Sequence, residues 1–280
     1  SSGDASILFS WIRNGAKIPA TMEGVKDGGK WGVGAKLHWS FQPLYFVPLP
    51  DLDMENYSNP IDIFIVQKLE EKGLTLSRSA DKRVLIRRAS YDLTGLPPTP
   101  QEVDSFINSK DSGAYDKLID ELLASPRYGE RWGRYWLDVA RYSDHKGGFR
   151  QRRDDPRFTY SWTYRNWVIE ALNDDKPYDE FVREQLAADL LGYKDKRLNA
   201  LGFLTVGRRD RDNNNVIDDR IDTSMKAFLG LTVSCARCHD HKFDPISQKD
   251  YYALHGIFNS ITEPTDYQRP VVSGKPSPEY

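Results

Sequence analysis

Twice in this chain a hydroxyl residue is followed at once by proline where an amphipathic run begins. At Thr99-Pro100-Gln101-Glu102 the hydroxyl, the proline and the acid supply the cap, the pre-set first turn and the reciprocal capping-box partner of a helix. Ser125-Pro126 repeats that logic before RYGERWGRYWLDVARY, where Trp132, Trp136, Val139 and Ala140 form one aromatic stripe that reads as core. Upstream, Ile61, Phe64, Ile65 and Leu69 recur at three- and four-residue steps from Asn59, with Glu70, Glu71 and Lys72 on the wet side. Ser79 is placed to cap the next helix, whose interior is Val84, Leu85, Ala89 and Leu93. Further amphipathic segments run over residues 162–172, 178–191, 218–239 and 248–258, and no alternating strand or solenoid-period repeat occurs. The expected fold is all-α, an irregular multi-helix domain.

The residues before Asn59 are organised differently. Ile7, Leu8, Trp11 and Ile12 mark one short helix over residues 1–16, stopped by Asn14-Gly15. Residues 17–57 hold five glycines between Gly24 and Gly34 and the proline-punctuated FQPLYFVPLP, an extended Gly/Pro-rich linker wrapping the main domain. The helical domain then covers residues 58–262, and residues 263–280 begin a linker to a downstream domain. The chain reads as an excised piece of something larger. A formal net charge of −2 gives no bulk pull toward nucleic acid or an anionic membrane, and no apolar run is long enough to span a bilayer.

Both cysteines fall in Ser234-Cys-Ala-Arg-Cys-His-Asp-His, three residues apart, so they cannot staple distant elements and belong to a site. Three chemistries compete for Cys235-x-x-Cys238-His239. In covalent haem attachment each thiol adds across a porphyrin vinyl group and the adjacent imidazole becomes an axial iron ligand. Helical geometry suits this, because Cys235 and His239 lie one turn apart with Cys238 beside His239. A zinc site would use Cys235, Cys238 and two of His239, His241 and His255, without the usual second ligand pair at finger distance. A thiol–disulfide couple needs no following histidine and usually sits near a βαβ pattern.

The segments LGLTVSCARCHDHKFDPISQKDYYALHGIF, RWGRYWLDVARYSD, YRNWVIEALNDDKPYDEFVREQLAADLL and IDDRIDTSMKAFLG together resemble the second of the planctomycete-type cytochrome c domain families, long catalogued as domains of unknown function. The resemblance runs from about His38, in HWSFQP, to about Ser260. It implies one covalent haem c, held by Cys235 and Cys238 with His239 as proximal ligand. It also implies a large exported protein with a smaller cytochrome c domain upstream and another domain downstream. ILFSWIRNGA looks like the last helix of that upstream domain. Asp219, Arg220 and Asp222 match a pattern of the resembled family and are expected either to orient the haem segment, with Arg220 on a propionate, or to form structural ion pairs.

Function then turns on the sixth iron position. Met225 is excluded if the helix is continuous, since fourteen residues place it about 21 Å away. His241 lies on the proximal side and packs, binds a propionate or orients a neighbour. His145, before the Gly147-Gly148 turn, is the first candidate distal ligand, where relatives often carry an Asp-Thr-His-Gly or Asp-Ser-Asn-Gly type stretch and this chain reads Asp144-His145-Lys146-Gly147. His255, on the apolar face of YYALHGIF, is a lesser candidate, as is His38; an open or water-bound position is the other option. Arg237, inside the motif, is the nearest cation in sequence for a propionate, and Arg150, Arg152, Arg153 and Arg157 form a basic cluster with the same option. Trp162 and Trp167, like Trp132 and Trp136, read as core. Gly207 to Arg220 has the first spacings of a calcium loop, but Asn215 and Ile221 stand where the glycine and the bidentate glutamate belong, so it reads as a solvated loop with calcium only a minority case.

The leading expectation is an exported, periplasmic c-type cytochrome module that passes electrons to or from a neighbouring redox domain of the same protein. The alternatives are a haem-dependent oxidoreductase acting on a small molecule or carbohydrate derivative at an open iron site, and a zinc-stabilised binding module. No catalytic residue outside the CxxCH motif is assigned.

Overall fold

A computed structural model describes residues 38–51, 59–145, 158, 160–207 and 212–261. The chain divides into two compact units, one of Ser1–Leu44 with Cys235–Ala253 and one of Tyr45–Ser234 with Leu254–Tyr280. The expected helix over residues 1–16, most of the expected linker and the tail from residue 263 lie outside the described residues.

The larger unit is a helical bundle without a strand among the described residues. In order it holds α1 (Pro60–Glu70), α2 (Lys82–Thr94), α3 (Pro100–Asn108), α4 (Ala114–Leu123), α5 (Pro126–Val139), α6 (Ser161–Asn173) and α7 (Tyr178–Ala187). A 3-10 turn (Lys196–Leu201), the single-turn α8 (Gly202–Thr205) and the long α9 (Asn213–Leu229) follow. α5 packs along α6, α2 braces α3, α4 and α5, and α7 and α8 close over the 3-10 turn. The all-α expectation therefore holds.

The start signals work as the sequence predicts. Glu102 accepts from the Thr99 N–H at 2.6 Å while Thr99 Oγ1 accepts from the Glu102 N–H at 3.2 Å, a complete capping box on α3. Ser125 Oγ accepts from the Arg127 N–H to start α5. At α2 the cap is Asp81 rather than Ser79. Its carboxylate sits three residues before Val84 and accepts that N–H at 3.0 Å, which satisfies an orphan donor of the first turn.

Burial departs from the expected faces in two places. α1 buries Ile63 and Val66 and turns Ile61, Phe64 and Ile65 outward, because this helix is apolar on nearly every face and spacing alone cannot choose among them. The aromatic stripe is split likewise, with Trp167 and Ala140 buried, Trp136 half-buried, and Trp132, Val139 and Trp162 exposed.

Trp136 is the centre of the packing. Its ring meets Phe181 edge-on at 4.8 Å and lies 5.8 Å from Phe228 and 6.3 Å from Phe203. Its indole N–H donates to Gln185 Oε1 at 2.8 Å, the Tyr164 hydroxyl donates to the same oxygen at 2.7 Å, and Gln185 returns an amide N–H to the Phe181 carbonyl. Burial pushes the Tyr164 phenol well above its ordinary pKa, so it stays a neutral donor. The Trp136 indole, the Tyr164 hydroxyl and the Gln185 amide thus partner one another, the condition under which burying them is tolerable, whereas Glu184 Oε2 nearby is buried without a partner.

Candidate functional site

α9 carries the chain toward the cysteines and stops short of them. Gly230 takes a left-handed φ of 66°, its N–H donates to the Lys226 carbonyl at 3.1 Å, and the Leu231 N–H donates to the Met225 carbonyl at 3.2 Å. This Schellman-like end satisfies the last carbonyls and turns the backbone out of the helix. The single helix expected over residues 218–239 is therefore two elements, and the helical-rise argument against Met225 lapses with it. Ser234 Oγ then donates to Asp222 Oδ1 at 2.9 Å, tying the start of the motif back to α9.

Ser234–Arg237 forms a 3-10 turn. The Cys235 carbonyl accepts from the Cys238 N–H at 3.2 Å and from the His239 N–H at 3.4 Å, closing the motif on itself. With three residues per turn, positions i and i+3 eclipse, so Cys235 and Cys238 share one side of the turn. Both are free and exposed, His239 is exposed, and Ala236 between them is fully buried. The His239 Nδ1 lies 2.8 Å from the Asp240 carbonyl. A carbonyl only accepts, so Nδ1 carries the proton and Nε2 keeps the lone pair that binds a metal.

A set of contacts that the sequence reading missed holds this turn in place. The Arg237 carbonyl accepts from the Tyr252 hydroxyl at 3.2 Å and from the Gln248 amide at 3.3 Å. Both donors stand on α10 (Gln248–Asn259). Asp240 Oδ1 accepts from the Gln248 backbone N–H at 2.8 Å, and Ser247 and Asp250 make a reciprocal capping box at the head of the same helix. Ser247-x-x-Asp250 was the available sequence signal for that cap; nothing local announces the Gln248 and Tyr252 contacts.

His241 is buried, and its Nδ1 accepts from the Asp244 N–H at 2.9 Å while its own N–H donates to the Ile246 carbonyl at 2.8 Å. It folds the 241–246 loop, one of the roles expected of it. His145 is exposed, its backbone bonded to Ser143 Oγ. His255 lies 3.2 Å from Asn214 Oδ1, and His38 caps a short 3-10 turn over Trp39–Phe41 through Ser40. Arg220 is buried, with Nε donating to the Leu204 carbonyl at 3.0 Å. Its neighbour Asp219 pairs with Arg141 at 2.7 Å, and Arg141, in a left-handed conformation at φ 52°, also donates to the Phe203 carbonyl. The Gly147-Gly148 turn, Arg150, Arg152, Arg153 and Arg157 lie outside the described residues. Of the expected solvated loop, Asn213–Arg220 is helix, because Asp212 just ahead of the asparagine run caps it by accepting from the Asn214 N–H.

Among the described residues no group of three or more His, Cys, Asp or Glu side chains gathers to hold a metal ion. A zinc ion needs four ligands converging at about 2.0–2.3 Å. A haem's vinyl groups and iron are separate points, so its three attachments need only share one side of a turn. Two exposed thiols on one side of a turn, followed at once by an exposed imidazole, are compatible with such an attachment.

The described residues thus define a helical bundle and a CxxCH turn whose two thiols and imidazole are exposed. The chain belongs to the PSCyt2 family, described as a protein of unknown function (DUF1549), whose model matches residues 60–263. No curated protein and no solved structure matches it. The match contains the whole CxxCH turn and begins at Pro60 rather than near His38. No helix among the described residues is long and apolar enough to cross a membrane.

Proposed function

We propose that this chain is an exported cytochrome c module that carries one covalent haem and passes electrons within a larger multidomain protein. The observation that carries the reading is the self-closed turn that presents two free thiols on one side, with the following imidazole in the tautomer that ligates through Nε2. Cys235 and Cys238 would each add S–H across a vinyl group, with no atom lost, and His239 would supply the axial nitrogen. Bound there, haem supplies a one-electron iron couple. The chain's own contribution is positional. Gln248 and Tyr252 fix the turn through the Arg237 carbonyl, and Asp240 fixes the His239 ring through its carbonyl.

Arg237 remains a proposed propionate partner, whereas the burial of Arg220 against the Leu204 carbonyl supports its structural role. For the distal position His145 stays the proposal on sequence grounds, with His255 behind it because Asn214 already engages its ring. The family name agrees with a cytochrome-like module. Export follows from the chemistry, since covalent haem is assembled outside the cytoplasm.

Optical spectra of protein matured in an export compartment test the reading. Sharp reduced α and β bands that do not respond to carbon monoxide are expected. A carbon monoxide shift would favour the oxidoreductase alternative with an open iron site, and a missing Soret band would favour zinc.

A further inference from the structure

The larger unit holds a cavity of about 300 Å3 lined by Glu130, Arg134, Leu137, Asp138, Tyr142, Arg165 and Ile169. Its position follows from how α5 meets α6. At Gly129 an added Cβ would lie 2.4 Å from the Ile169 carbonyl oxygen, and at Gly133 it would lie 3.2 Å from Ile169 Cγ1, so the two helices touch closely along those two positions. One turn further along that face stands Leu137, and there the contact gives way to a hollow with Leu137 and Ile169 as its apolar wall.

The charges around this hollow are unusually arranged. Arg165 is half-buried and makes no hydrogen bond or ion pair among the described residues. Its guanidinium still reaches solvent, so its fork of donors is not already spent and is open to an incoming acceptor. Arg134 has only a long, exposed 4.0 Å approach to Asp138, which is worth little. Glu130 is engaged by Arg127 at 2.6 Å on the outside, and the Tyr142 hydroxyl donates to Asp144, so its ring lines the wall. The cavity therefore offers a guanidinium fork awaiting an anion, with two carboxylates able to accept from hydroxyls.

We infer that this cavity binds a small polyhydroxy carboxylate, with Arg165 pairing the carboxylate and Glu130 and Asp138 accepting from hydroxyl groups. A planar carboxylate matches the fork of donors on arginine. A dianionic phosphoryl group would face the two rim carboxylates and is disfavoured. At ~30 Å3 per water, the volume equals about ten waters, which suits a monosaccharide-sized ligand rather than a polymer. The inference stands apart from the haem reading, because every lining residue belongs to the larger unit and none to the CxxCH turn.

The test is equilibrium dialysis of the 280-residue chain against radiolabelled gluconate, with sorbitol as the uncharged competitor. Saturable retention with Kd of about 1 mM is expected, with no competition by sorbitol and a loss of about tenfold or more in Arg165→Gln. Absent saturable retention, equal binding by Arg165→Gln, or sorbitol competing as well as unlabelled gluconate would each overturn it. Should circular dichroism show that Arg165→Gln has lost helix, the gluconate-against-sorbitol comparison on the unaltered chain decides alone.

Discussion

Gly129→Ala is expected to destabilise the helical bundle by about 2 kcal/mol, whereas Gly133→Ala, four residues along the same helix, stays within about 1 kcal/mol of the parent chain. The difference lies in what each new methyl meets. At Gly129 the obstacles are the Ile169 carbonyl oxygen at 2.4 Å and Asn173 Oδ1 at 2.6 Å. The first is backbone and cannot yield without moving α6. The second accepts from the Gly129 N–H at 2.8 Å, so displacing it also breaks a hydrogen bond between the helices. Overpacking of this kind costs about 1–3 kcal/mol, the lost bond adds about 1, and the gain in helix propensity returns about 1. At Gly133 the obstacle is the Ile169 Cγ1 methylene at 3.2 Å, a side-chain atom that a shift of a few tenths of an ångström relieves, and the same propensity gain offsets the strain. Urea titration of the two variants checks this; equal midpoints would show that the glycines do not set the α5–α6 contact.

His239→Ala is expected to separate cofactor retention from iron ligation. Both thiols remain, so the mass of the mature chain should still include haem. The absorption spectrum should lose its low-spin form and recover it when imidazole is added, because only the axial nitrogen has been removed. His241→Gln is the matched control. His241 is buried and spends Nδ1 on the Asp244 N–H, so its loss should loosen the 241–246 loop and leave the spectrum unchanged. An unaltered spectrum in His239→Ala, or a change confined to His241→Gln, would move the axial role to the wrong histidine.

Where the sequence could be read, the legible signals were local ones. The capping box of Thr99 and Glu102 and the Ser125 cap lie within four residues, and the CxxCH spacing needs only five. α4 was missed although Leu118, Ile119 and Leu122 recur at helical spacing, because its N-cap, Gly113, offers no side-chain start signal. The end of α9 was overrun for the opposite reason. Apolar spacing continues through Leu229, Leu231 and Val233, while the true signal was the single Gly230 that adopts the left-handed turn. The core hydrogen bonds of Trp136, Tyr164 and Gln185 join positions as far as 49 residues apart, and no local pattern reports such a meeting. The clamp on the Arg237 carbonyl is hidden likewise. Its donors follow by 11 and 15 residues and grip a backbone atom, which every residue possesses.

Intact-mass spectrometry of the chain, matured in an export compartment and denatured to strip anything not covalently held, tests the cofactor most directly. A single species heavier than the polypeptide by one haem is expected, and it should revert to the bare polypeptide mass when Cys235 and Cys238 are both serine. The bare polypeptide mass in the unaltered chain, under conditions where other c-type haems are attached, would contradict the assignment.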